Sequence, residues 1–325
     1  MGSGKIRGLF SKCKKKFVMD AEDKAFQTYR NKFYKYAFQI GKCTSYEQYE
    51  ASITRFYHTI EKGLAYKNFR AGFGVNNIDM LLSLMESYVK EYDVTAFFYE
   101  TALSVLKAYQ EKNLEYGHVD EKLNERIAKL PGKPNTMGGI IQFKPFTNEQ
   151  LKTVNYEQLV VNRHSIRDFS EEPVSVERIG EAVKLAQYTP SACNRQGWKT
   201  RIVSDKELVM TILNNQNGNS GFSEKIDKVL VITGDVRFFN RDREIHQVFI
   251  DGGMYAMRVL DSLNYKGIGA IPLSASLNAE QEHNIRLSLK IHDAEEFILI
   301  IGIGNYPDDC QTTRSERKPA EIIVL

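Results

Sequence analysis

The run Val229-Leu-Val-Ile-Thr233 has no polar residue before its last position. A strand of that composition cannot show one face to water, so it must be covered on both sides. Phe297-Ile-Leu-Ile-Ile-Gly-Ile303 reads as a further central strand, and Lys199–Ser204 and Ile268–Leu273 as two more. Amphipathic segments able to cover such a sheet lie between and around them. Ser175 can cap a helix from Val176 to Gln187 with apolar positions Val176, Ile179, Val183, Leu185 and Ala186. Asp205 caps another that runs to about Leu213. Asn278 opens a helix to about Lys290, with Gln281 completing a capping box. The longest, Ile245–Tyr265, carries Gly252-Gly253 near its middle. Each glycine costs about 1 kcal/mol against alanine, which points to close backbone approach by another helix or by a cofactor.

The first half reads differently. Spacings of three and four recur through residues 20–128. Aromatic residues are dense from Phe26 to Phe38. Helices are expected at Ser45–Lys62 (stopped by Gly63), about Asn77–Tyr92, Val94–Lys112 and about Val119–Leu130. Pro131-Gly-Lys-Pro-Asn135 breaks the pattern, and Met137–Gln150 has no clear period, as a linker or a wrapping strand would. The expected division is a helical region over 1–150, with its linker at about 131–150, and a second domain over 151–325.

The net charge of +3 over 325 residues argues against a polyanion binder, so no nucleic-acid partner is expected. There is no apolar run long enough for a membrane span and no signal-peptide pattern, so the chain reads as cytoplasmic. Cys13, Cys43, Cys193 and Cys310 are scattered, as free thiols would be, and no metal-ligand spacing occurs. Residues 5–18 mix Lys and Arg with apolar residues. They read as a solvated terminus, or else as a short amphipathic helix in weak peripheral contact with an anionic membrane.

The chemistry-bearing stretches lie in the second half. In Arg163-His-Ser165-Ile-Arg167, alternate residues share one side of an extended segment, giving two guanidinium groups and a hydroxyl for an anion. In Thr189-Pro-Ser-Ala-Cys-Asn-Arg-Gln-Gly-Trp198, small residues and amides suit a flat heterocycle with alternating donors and acceptors. Arg314-Ser-Glu-Arg-Lys-Pro319 is a second basic cluster. The polar stretch Asn214–Gly221 reads as a lid or a disordered turn. Gly302-Ile-Gly304 lacks the third glycine and helix of a dinucleotide fingerprint, and no Walker A, HExxH or GxSxG pattern occurs.

These pieces, with Gly267-Ile-Gly-Ala-Ile-Pro272, stand in the order found in the nitroreductase family of FMN-dependent oxidoreductases, which the chain resembles over about residues 156–325. The first 150 residues are an atypical addition. The resemblance implies an α+β fold, with a central mixed or antiparallel sheet flanked by helices, and a homodimer with FMN at the interface. It places Arg163, Ser165 and Arg317 at the phosphate and ribityl chain, and His164 and Arg314 among the cofactor-binding residues. Arg167 falls near flavin N1 and the C2 carbonyl, where a fixed cation stabilises the charge of the reduced ring. Ser191, Asn194 and Gln196 belong to the loop on the pyrimidine edge, Asn194 reading it and Gln196 holding the loop in shape. Pro272 and Leu273 lead to the backbone N–H of Ser274 or Ala275, which would face N5; many relatives carry an acidic residue where Ser274 stands. The implied reaction is ping-pong: NAD(P)H donates hydride through N5 to a nitroaromatic, quinone or enone. Other readings are a flavoenzyme with a dedicated biosynthetic substrate, of dehydrogenase or dehalogenase type, and a non-catalytic assembly protein.

Three single features carry two readings each. Trp198 reads as core rather than as a cofactor stack. Cys193 reads as a small packing residue rather than a nucleophile. Arg55, His58, Glu61 and Lys62 share one helix face and read as an ion-pair network, with a contribution to the substrate pocket as the alternative. The matched core leaves little length for a substrate-covering excursion, so the helical region is expected to close the pocket or extend the dimer interface.

Overall fold

The computed structural model describes residues 21–240 and 244–325. The basic stretch 5–18 and Cys13 lie outside them. The chain is α+β, as the sequence implies. Its first part is helical: α1 (Ala21–Tyr36), α2 (Tyr46–Leu64), α3 (Val75–Tyr88), α4 (Phe97–Glu115) and α5 (Glu121–Lys129). Ser45 caps α2 by accepting from Gln48 N. The helix runs through Gly63 instead of stopping there, and the glycine leaves room for the ring of Phe73, which occupies the space a Cβ would need. Ile53, Ile60, Leu81, Leu82, Met85, Tyr99 and Leu106 of α2, α3 and α4 are buried in one apolar cluster. That cluster is distinct from the two that fill the second half.

The stretch without a period contains β1 (Ile140–Phe143), which pairs antiparallel with β6 (Cys310–Thr313) at the far end of the chain. Four residues are too few to show alternation, and the partner is remote, so neither strand announces itself locally. Two short helices follow β1, α6 (Asn148–Thr153) and α7 (Tyr156–Asn162), each opened by a capping box.

The remaining elements are α8 (Val176–Ala186), β2 (Trp198–Val203), α9 (Lys206–Asn214), β3 (Lys228–Asp235), α10 (Gln247–Tyr265), β4 (Gly269–Ser274), α11 (Ala279–Leu289) and β5 (Glu295–Gly304). The four longer strands form an antiparallel sheet in the order β2-β3-β5-β4. Every residue of β3 is buried. Val229 and Val231 join the cluster containing Val209, Ile212 and Ile285, while Leu230 and Ile232 join Ile179, Tyr255 and Val259. The apolar run is therefore a strand with helices on both faces.

Three expectations are corrected. In α8 the buried stripe is Ile179, Ala182 and Ala186, whereas Val176 and Leu185 are exposed, because they lie off the face that meets the sheet. A Cβ on Gly252 would stand 2.6 Å from Ile298 of β5, so the close approach is to a strand, not to a helix or cofactor. The polar loop after α9 is neither a lid nor disordered. Gln216 and Asn219 are buried, Asn219 Nδ2 donates to Leu213 O at 2.7 Å, and Gln216 Nε2 donates to Ser274 O at 3.0 Å. Side-chain amides there replace the backbone partners that a corner lacks.

Candidate functional site

The two basic stretches meet although about 150 residues separate them. Ile166 N donates to Ala270 O at 3.0 Å, which fastens residues 163–167 beside β4. Ile166 itself is buried, so its neighbours turn the other way. Thr312 Oγ1 donates to Ser165 O at 2.9 Å, and Arg167 Nη1 donates to Ser165 O and to Thr313 Oγ1, each at 3.3 Å. Pairing of β6 with β1 is thus what carries Arg314–Arg317 to the first clamp.

Burial, and next the charge of Arg317, push the Arg163 guanidinium below its ordinary value; Asp261 opposes this. Burial also lowers the His164 imidazole. His164 Nδ1 lies 2.8 Å from Asn162 O, and since a carbonyl only accepts, Nδ1 carries the proton. Arg317 Nη1 donates to Ser315 O. Ser315 holds a left-handed φ of 48°, and its hydroxyl lies 2.8 Å from Thr313 Oγ1 and 3.4 Å from His58 Nδ1. Arg167 Nε and Arg314 Nε are buried without a hydrogen-bond acceptor among the described residues, Glu316 Oε2 standing 3.7 Å from the latter. Cations gathered with spare donors and little opposing charge are what a phosphate ester would satisfy.

β4 ends at Ser274. The carbonyl of Ser274 is taken by Gln216, while the N–H of Ala275 has no acceptor among the described residues. The Leu273 side chain is buried in the core and Pro272 has no N–H, so their part in any site is to carry the backbone there.

The amide loop is built separately, off the start of β2. Cys193, Asn194 and Gln196 all take positive φ, which small or amide side chains and a dense hydrogen-bond set sustain. Ser191 Oγ accepts from Gln196 N at 3.0 Å; Gln196 Nε2 donates to Asn194 O and Oδ1, both at 3.0 Å. Ala192 N donates to the buried Asp251 Oδ2 at 3.1 Å. Arg195 grips Glu244 with two bonds of 2.8 and 2.7 Å and holds its carboxyl down to about 2. Asp251 and Glu244 went unread in the sequence, although an acid beside two glycines inside an apolar helix was a signal. Gln187, Tyr188, Thr189, Pro190, Asn194 and Gln196 line a cavity of about 670 Å3. Trp198 is core, stacked on Tyr255 at 4.6 Å. Cys193 is exposed, so it is not a packing residue; its left-handed backbone turns it outward.

The amide loop and the clamp do not meet within one chain. Ser274 pairs with Leu299, Leu299 with Ile232, and Ile232 with Thr200. Three strand spacings, about 14 Å, thus separate the β4 edge beside the clamp from the β2 edge beside the loop. No hydrogen bond or ion pair among the described residues joins residues 191–196 to Arg163–Arg167, Ser274, Ala275 or Arg314–Arg317. Among the described residues no three His, Cys, Asp or Glu are placed to hold a metal ion, and no helix is long and apolar enough to cross a membrane.

Residues 160–215 match the model of the Nitroreductase family. No curated protein matches the sequence. Among solved structures, an FMN-dependent nitroreductase from Clostridium difficile is 20% identical, with 50% of this chain and 90% of that one covered and a TM-score of 0.41. A protein from Staphylococcus epidermidis, named as an NAD(P)H:FMN oxidoreductase, is 18% identical over 57% of this chain and all of that one, with a TM-score of 0.46. A Desulfovibrio desulfuricans protein, named as a nitroreductase in complex with FMN, is 18% identical over 51% and 93%, with a TM-score of 0.44.

Proposed function

We infer that this chain, a nitroreductase-family protein by its residues 160–215, is an FMN-dependent oxidoreductase that takes electrons from NAD(P)H and reduces a small organic acceptor. The observation that carries the reading is the meeting of Arg163, Arg167, Arg314 and Arg317, with buried guanidinium donors left over. FMN fits them: its phosphate would lie against Arg163, Arg314 and Arg317, and its ring would meet Arg167. The Ser165 hydroxyl, without a partner among the described residues, would serve the ribityl chain, with His164 supporting the segment through its bond to Asn162 O. When bound, FMN supplies hydride transfer between nicotinamide and acceptor. The protein's part is to fix the ring. The Ala275 N–H, without an acceptor among the described residues, would offer a donor where the β4 edge ends, and Arg167 would supply a permanent positive charge to the bound ring.

A homodimer completes the site. The amide loop of Ser191, Asn194 and Gln196 lies across the sheet from the clamp, so a second copy has to bring it. The outward face of α10 favours such pairing: Phe249, Ile250, Met254 and Met257 are 49%, 52%, 41% and 43% exposed. Burying what remains of each would contribute about 1 kcal/mol per side chain. The test is FMN binding followed by flavin fluorescence, together with NAD(P)H oxidation in the presence of a quinone. Arg317→Ala should weaken FMN binding about ten- to a hundredfold, the value of a charge-assisted contact. A protein that neither takes up FMN nor oxidises NAD(P)H would sink the reading.

A further inference from the structure

We propose that the acceptor reduced at this site carries an oxyanion, a carboxylate or a phosphate, and that Lys62 with Arg55 holds it. The inference rests on the FMN reading above and concerns what the helical region adds to it.

The end of α2 spans the candidate site. His58 Nδ1 lies 3.4 Å from Ser315 Oγ, at the clamp. The Tyr66 hydroxyl donates to Ser220 O at 2.8 Å. Ser220 belongs to the loop whose Gln216 holds Ser274 O, next to the free Ala275 N–H. Lys62 is one helical turn beyond His58 on the same face of α2, and the charges of Arg167 and Arg55 reach it. Arg55 lies seven residues, about two turns, before it on the same face. The helical region therefore reaches over the place where an acceptor would approach the ring.

The charges there do not balance. Lys62 is half-buried and has no hydrogen-bond or ion-pair partner among the described residues; Arg55 is exposed, and its guanidinium likewise has no partner among them. Arg167 donates only to neutral oxygens and keeps a buried Nε–H unpartnered. Glu61 is the carboxylate at hand, and it is already engaged. Its Oε1 accepts from Gly139 N at 3.0 Å, and its Oε2 lies 3.0 Å from His58 Nδ1. Burial, then Arg167 and Arg55, hold the Lys62 ammonium below its ordinary value. A lysine in the last turn of a helix is favourable there, but that benefit is available to an exposed side chain and explains no burial. The phosphate of FMN has Arg163, Arg314 and Arg317. Lys62 and Arg55 are left for a second anion, whose charge offsets the cost of keeping them together. A neutral acceptor would leave the ammonium unpaired, so the same residues discriminate between acceptors.

The probes are 4-nitrobenzoate and 4-nitrobenzamide, alike in the reducible group and different in charge, with benzoate as a non-reducible anion. The wild-type protein is expected to favour the nitrobenzoate in kcat/KM by about tenfold or more. In Lys62→Met the ratio falls to near one, and Lys62→Arg, which keeps the charge, retains a preference. Calorimetric titration with benzoate should show the same loss in Lys62→Met, with and without FMN. Equal kcat/KM for the two probes in the wild type, or equal benzoate affinity in wild type and Lys62→Met, overturns the proposal. So does a drop in FMN affinity in Lys62→Met with the probe ratio unchanged, since Lys62 would then serve the cofactor. If the protein binds no FMN and reduces neither probe, the oxidoreductase reading fails. The benzoate titration then decides the anion site alone, binding lost in Lys62→Met supporting it and unchanged binding overturning it.

Discussion

Gly252 and Gly253 stand side by side in α10 and predict opposite outcomes for the same substitution. Alanine at either position gains about 1 kcal/mol of helix propensity. At Gly252 the new methyl would meet Ile298 Cδ1 at 2.6 Å and Cγ1 at 2.7 Å. Ile298 is β-branched, sits on a central strand and has little freedom to withdraw. Overpacking of this kind costs about 1–3 kcal/mol, so Gly252→Ala should lose up to about 2 kcal/mol net. At Gly253 a methyl meets nothing within 4 Å among the described residues, so an isolated chain should gain about 1 kcal/mol. In the proposed dimer that position lies on the apolar face with Ile250, Met254 and Met257, where the methyl intrudes between helices. Gly253→Ala should then weaken association while leaving the protomer's own fold intact. Urea unfolding at several protein concentrations, with sedimentation velocity, separates the two effects. A stabilised Gly253→Ala variant that associates as the wild type does would refute pairing through this face. A stabilised Gly252→Ala variant would refute the account of Ile298.

Three further predictions concern charged side chains with defined partners. Burial raises the Glu295 carboxyl, but Arg201, Lys199 and Thr233 outweigh it and hold it down to about 2. A depressed carboxyl contributes stability above its unfolded value of about 4.3 and loses it as pH falls from there through the folded value. Thermal unfolding of Glu295→Gln should therefore be less steeply pH-dependent between these limits. Arg195→Ala removes both bonds to Glu244 and the bond to Ala192 O, so FMN Kd should rise while the thermal midpoint barely moves; an unchanged Kd would show that the loop keeps its shape unaided. Glu61→Leu leaves the buried Gly139 N–H without an acceptor and should cost about 1–3 kcal/mol in urea unfolding. A neutral result there would mean that residues 138–139 re-pair elsewhere.

Local pattern carried the elements of the second half. The caps at Ser175, Asp205 and Asn278 stand where short-range hydrogen bonding requires them, and each accepts the backbone N–H expected of it. Val229–Thr233 demanded cover on both faces because it offers no polar side, and the sheet supplies it. The residue types of the clamp and amide loop could be picked out from the sequence, and the fold brings Arg163 and Arg317 together. Tertiary structure decided what lies beyond the reach of neighbours in sequence. The β1–β6 pairing brings Arg314–Arg317 to Arg163, and no local period encodes a four-residue strand whose partner is 170 residues away. Strand order sets the amide loop and the clamp on opposite edges of the sheet, a separation that sequence spacing does not show. The polar loop at 214–221 has a composition suited to solvent, yet its amides are spent on backbone groups that only the fold brings within reach. Lys62 shows the same division: its helix face was readable from spacing, but its burial beside the Arg167 charge, with no countercharge among the described residues, exists only once the chain has folded.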